Sequence, residues 1–150
     1  MRSSCATGYG RGRDRPHLLT SRVLAPRSRE ETVKPQQIDD LRRLLTGERV
    51  LALAVLVDGY PAIGLLPFAA TPDFDALVVN ASHLARHTRG LTEGAPFDAL
   101  VHAPDAPGAD PLQIPRVTLR GQVALLDPAG PEYASDEQGY IERFPEAAAI

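Results

Sequence analysis

Apolar and polar positions fall in blocks along the chain, and each block carries its own period. After Pro35, the residues Ile38, Leu41, Leu44 and Leu45 recur at helical spacing and Gly47 follows the last of them, so a short helix opens on proline and stops at glycine. Arg49 to Val57 is an almost unbroken run of Val, Leu and Ala, and Asp58-Gly59 behind it is the strongest short hairpin signal in the sequence. The partner strand is predicted over Tyr60 to Ala70. Pro67 interrupts it, and because proline cannot donate to a ladder, the strand is expected to bulge, bend or become an edge there. A turn at Thr71-Pro72-Asp73-Phe74-Asp75 leads to a further strand, Ala76 to Ala81.

That strand runs into Asn80 and Ser82, both favoured helix N-caps, and a helix is predicted to continue to Leu91. Its core stripe would be Leu84, Thr88 and Leu91, with His83, Arg86, His87 and Gly90 on a neighbouring face. Two strands follow, Phe97 to Ala103 and Arg116 to Leu126, separated by a proline-rich loop, and Glu132 to Arg143 is weakly helical. Turns too short for crossovers make the early strands antiparallel, and five strands rich in Val and Leu suggest a closed or nearly closed barrel. The fold class is therefore mainly β with flanking helices.

Composition divides the chain in two. Residues 1–34 hold 8 of the 16 Lys and Arg against 3 acidic residues, a local balance of +5, while the remainder carries 8 basic and 16 acidic residues, or −8. Residues 1–35 show no sustained hydrophobic period and are expected to form a disordered basic tail ahead of one folded domain, 36–150. The acidity of the folded part argues against general nucleic-acid binding. The one cysteine, Cys5, lies in the tail, which fits a reducing, cytoplasmic setting, and no apolar run reaches membrane-spanning length.

Candidate chemistry gathers in two stretches. A helix N-terminus at Ser82 would favour an anion through its free N–H groups, with Arg86 one turn in. In Arg116-Val117-Thr118-Leu119-Arg120-Gly121, alternation turns Arg116, Thr118 and Arg120 to one side. If the fold brings the two together, Arg86 and Arg116 become a phosphate clamp. His83 and His87 stand at i and i+4, but no third ligand accompanies them and no metal site is expected. No G-x-S-x-G elbow, P-loop or Rossmann glycine pattern is present, and no catalytic acid, base or nucleophile can be named.

Leu65-Leu66-Pro67-Phe68-Ala69, the stretch Ser82 to Leu91, Asp110-Pro111, Arg116 to Gly121 and Tyr140-Ile141-Glu142-Arg143-Phe144-Pro145-Glu146-Ala147 occur in an order and spacing that resemble the pyridoxamine 5′-phosphate oxidase-like family of FMN-binding split β-barrels, in particular its haem-utilisation flavoprotein branch. The resemblance implies an antiparallel split β-barrel and a homodimer with FMN at the subunit interface. It makes Ser82, Arg86, Thr88 and Arg116, with Thr118 beside them, the phosphate contacts, and Leu66, Pro67 and Phe68 the ring contacts. It further implies an FMN-dependent oxidoreductase acting on a small-molecule substrate or electron donor, the flavin carrying the electron chemistry. The sequence departs from the pattern at Leu65, where a small hydroxyl residue is common, and at Gly90, where asparagine is usual. Relatives supply one more strand beyond the position of Ile150, so the barrel is expected to be incomplete at its C-terminal strand. The histidine region tied to haem would lie beyond that point too. A second reading of the same features is a non-catalytic split-barrel binding or interaction module with weak or no flavin.

Overall fold

The structure, a computed structural model, describes residues 18–22 and 34–149. In chain order the elements are β1 (Leu18–Arg22), α1 (Pro35–Gly47), β2 (Val50–Val57), β3 (Tyr60–Ala70), β4 (Ala76–Asn80), β5 (Pro96–His102), β6 (Arg116–Leu125) and α2 (Tyr133–Arg143). Three 3-10 turns join them, at Arg86–Gly90, Pro111–Gln113 and Pro145–Ala149. All strand pairs are antiparallel, in the order β1-β4-β3-β2-β5-β6, and the barrel closes through β1 and β6.

Alternation decides what is inside. Leu51, Leu53, Phe68, Val79 and Val101 are fully buried within the barrel, and Val55, Val57, Leu66, Leu77, Phe97, Ala99 and Val123 complete the core around them. Helix α1 begins as the sequence suggests, with the Lys34 N–H donating to Gln37 Oε1 at 2.9 Å and Pro35 in the first turn. It lays Leu45, Leu41 and Leu44 on the core. The Asp58-Gly59 turn has positive φ at both residues, 54° and 79°, the type I′ geometry that matches strand twist.

Pro67 neither bends nor ends β3. The Phe68 N–H donates to the Arg49 carbonyl at 3.2 Å, which makes Val50 and Pro67 the next, non-hydrogen-bonded pair of that ladder. The missing N–H therefore faces the β4 side, where pairing starts only at Phe68 with Val79.

Two expectations are corrected. Residues 18–22, assigned to a disordered tail, form β1, which pairs with β4 from Leu18–Asn80 to Arg22–Ala76 and with β6 from Leu19–Leu125 to Arg22–Gln122. The other strands make a curled half-barrel with a gap between β4 and β6, and β1 fills it. Five residues carry no period of their own; two waiting strand edges decide the matter. Residues 1–17 and 23–33, Cys5 among them, lie outside the described residues.

The second correction concerns residues 82–91, which are not an α-helix. Only Arg86–Gly90 is helical, as a 3-10 turn. The Leu84 N–H donates to Ser82 Oγ at 3.3 Å, the Ala85 N–H to the Ser82 carbonyl at 3.0 Å, and Thr88 Oγ1 to that same carbonyl at 2.6 Å. Hydroxyl side chains thus satisfy the backbone locally and compete with i to i+4 bonding. Leu84, expected in the core, is 98% exposed.

Helix α2 covers the outer face of β3 and β4. Tyr140 and Phe144 pack on Ala69 and Val78, their rings 5.0 Å apart, and burial raises the Tyr140 phenol above its ordinary pKa against the opposing pull of its bond to the Asn80 backbone. Arg143 donates to the carbonyls of Thr46 and Glu48, closing the end of α1, while its guanidinium lies 5.8 Å from the Phe68 ring centre. Burial, and then the nearby Arg49 charge, lower the Arg143 pKa.

Candidate functional site

Beyond the reach of α2, the strands keep apolar side chains on their outward face. Register places Leu65, Ala52, Leu100 and Thr118 in one row across β3, β2, β5 and β6, and Ile63, Ala54, Asp98 and Arg120 in the next. Ile63 and Leu65 are each 72% exposed, and Val50 and Leu56 stand open on the same face. At the β6 side of this face Arg120 Nε donates to Asp98 Oδ1 at 2.8 Å, a bond that raises the arginine pKa ahead of the simple charge attraction. Arg116 and Thr118 are exposed on the same side, as alternation predicts, and Pro67 of β3, opposite Val50, is exposed as well.

Arg116 opens β6 opposite His102. Its Nη1 donates to the carbonyls of Leu112 and Ile114, each at 3.3 Å, so the loop before the strand fixes the guanidinium. The side chain lines a groove of about 740 Å³ formed with α1, whose Leu41 and Leu44 lie beside Val117. Ser82, Arg86 and Thr88 are not part of that groove.

The turn that carries those three residues lies on the other side of the sheet. A Cβ at Gly64 would meet the His87 ring at 2.4 Å, and Gly64 alternates with the inward-facing Leu66 and Phe68, so the turn packs against the inner side of the β2-β3 hairpin. Gly90 approaches the hairpin even more closely. A Cβ there would come within 2.6 Å of the Leu56 carbonyl oxygen and 2.8 Å of Val55, which excludes the asparagine that the family resemblance leads one to expect. Arg89 pairs with Asp58 across the hairpin turn at 3.3 Å. Arg86 is exposed and has no ion-pair partner among the described residues.

Of the residues assigned to one phosphate socket, the fold therefore brings Arg116 and Thr118 together on the outer face and groups Ser82 with Thr88 in the turn. The two pairs are kept apart, since the turn seats on the inner side of the β2-β3 hairpin while Arg116 and Thr118 face outward from β6. Arg86 does not line the groove that Arg116 lines, and a 3-10 turn of five residues does not supply the dipole end of an α-helix. Among the ring contacts, Phe68 is 0% exposed and Leu66 3%, both pointing into the barrel, and only Pro67 reaches the surface. Alternation counted inward from Leu51 and Leu53 would have signalled this. The features that single-residue reasoning missed are the apolar rows at Ile63 and Leu65 and the groove beside α1. Among the described residues no three His, Cys, Asp or Glu side chains gather as metal ligands, and no helix is long and apolar enough to cross a membrane.

No protein-family model matches the sequence, and no curated protein does. Among solved structures the chain is similar to the crystal structure of HutZ, the haem storage protein from Vibrio cholerae, with a TM-score of 0.62 and 19% identity over 72% of this chain and 75% of that one. At that identity the likeness speaks for the fold alone: the chain is a mainly β, antiparallel split barrel with two flanking helices.

Proposed function

We propose that the protein is a homodimeric split-barrel binding protein whose protomers meet through the outward face of β3, β2, β5 and β6. The observation that carries this reading is the pair of apolar rows centred on Ile63 and Leu65, large side chains left bare on a sheet whose other face is packed. Patches of that kind on a soluble chain mark interaction surfaces. A twofold interface is self-complementary, so one such face suffices for both partners.

FMN is the ligand implied by the family resemblance, and its donors do not converge within one protomer. If FMN is bound, Arg116 and Thr118 of one protomer hold it together with groups that the partner brings across the interface. Oxidoreductase chemistry would then be the flavin's, and no catalytic side chain is assigned. The second reading, a dimeric module without flavin, is favoured by a specific observation: the Thr88 hydroxyl donates its proton to the Ser82 carbonyl within the turn itself. Purified protein decides between them. A dimer by light scattering that is yellow, or that gains about 2.7 kcal/mol at a hundredfold excess of FMN over its dissociation constant, supports the flavin reading. A colourless dimer indifferent to FMN supports the module. A monomer at tens of micromolar removes both.

A further inference from the structure

We infer that the groove between α1 and the start of β6 binds an amphipathic organic anion, its head group on Arg116 and its apolar body on Leu41, Leu44 and Val117. At about 740 Å³ the groove has the volume of a small-molecule site. The three apolar residues are half-buried and rest on the barrel core, so the surface they offer is held in place.

The charges on the rim select the ligand. Arg43 is neutralised by its neighbour Asp40 on the helix. Arg116 has no carboxylate partner among the described residues. Both of its hydrogen bonds leave from Nη1, toward backbone carbonyls, and neither Nε nor Nη2 is engaged. A guanidinium fixed by its own loop and left with free donors is a preorganised anchor for a carboxylate, sulfonate or phosphate. Glu48, also on the rim and without an ion-pair partner among the described residues, opposes a second negative charge on the ligand and favours an N–H donor there. The inference shares Arg116 with the flavin reading but requires neither FMN nor a dimer.

The test titrates 8-anilinonaphthalene-1-sulfonate into the full-length protein and follows its fluorescence, with N-phenyl-1-naphthylamine as the same body without the charge. Arg116→Gln keeps donors for the Leu112 and Ile114 carbonyls while removing the charge. It is expected to weaken the sulfonate by about tenfold and to leave the uncharged dye unchanged. Glu48→Gln should tighten the sulfonate, and 0.5 M salt should weaken it in the wild type but not in Arg116→Gln. Displacement by decanoate or by decyl phosphate, at concentrations where decanol has no effect, supports the inference and says which acid the groove prefers. Equal affinity of wild type and Arg116→Gln overturns it. So does loss of the dye in Ile63→Asp with no change in Arg116→Gln, because the dye would then lie on the exposed sheet face. Cooperative melting of each variant shows that the comparison is made between folded proteins.

Discussion

Strands β2 and β3 are apolar on both faces, yet the two faces of the sheet they form with β5 meet different fates. Inward, Leu51, Leu53, Phe68 and Val101 are sealed from water, while outward, Val50, Leu56, Ile63 and Leu65 stand open. A strand with one wet face ordinarily alternates apolar with polar residues, and near-continuous apolar runs belong to strands covered on both sides. β4 obeys that rule within the protomer, because α2 lays Tyr140 and Phe144 over its outer side. β2 and β3 obey it only if something outside the protomer covers them. The contrast separates residues that maintain the barrel from residues that maintain an assembly, and substitutions on the two faces should fail in different ways.

The largest effect belongs to the sealed face. Phe68→Ala removes a fully buried ring and the platform beneath the Arg143 guanidinium, and should cost about 3–5 kcal/mol, read as a fall in the denaturation midpoint. A change in ligand affinity without loss of stability would instead return Phe68 to a binding role. Next comes Gly90→Ala. The backbone oxygen of Leu56 lies 2.6 Å from where the Cβ must go and cannot swing aside as a side chain could, so a loss of about 1–3 kcal/mol is expected. A neutral outcome would mean that the turn is not seated on the hairpin.

Tyr140 tests the helix that covers β4. Tyr140→Phe removes a phenol bonded to the Asn80 backbone and should cost about 1 kcal/mol at neutral pH. Burial raises the folded pKa above the unfolded value near 10, so the wild type keeps its full stability below that pH and loses it as the pH climbs toward the folded pKa. The phenylalanine variant has no such proton to hold. The gap between the two should therefore narrow above pH 10 in paired denaturant titrations, and a gap that stays constant would place the hydroxyl in water.

Much of this frame was legible before any coordinates, and the reasons are local. The α1 stripe, the Asp58-Gly59 turn and the long apolar runs are each decided by near neighbours, and their bounds agree with the sequence reading to within a residue or two. Residues 82–91 and 18–22 are decided elsewhere. Ser82 and Thr88 looked like the cap and interior of a helix, but their hydroxyls bond within the turn, and the room left by Gly90 lets the hairpin dictate its path. β1 exists because β4 and β6 each present an edge to it. The two halves of the anion socket stay apart within one protomer for a topological reason: spacing told which way Arg116 and Arg86 face along their own segments, and could not tell that the turn carrying Arg86 seats on the inner side of the β2-β3 hairpin while Arg116 faces outward from β6.

The smallest effect on the protomer should come from the open face, and it is the one that completes the comparison. Ile63→Asp places a carboxylate where the side chain is already 72% exposed, opposite Ala54 and two strands from the Arg120–Asp98 pair. In an isolated protomer it removes no buried contact and should shift stability by no more than about 0.5 kcal/mol. In a dimer built on this face the same carboxylate is desolvated opposite apolar side chains, at a cost of several kcal/mol per ion. Sedimentation should then show the mass halved while the denaturation midpoint, measured below the dissociation concentration of the wild type, stays where it was. If the mass is halved but the midpoint falls as far as in Phe68→Ala, Ile63 belongs to the barrel. If neither moves, the cover over β2 and β3 is not a second copy of this chain.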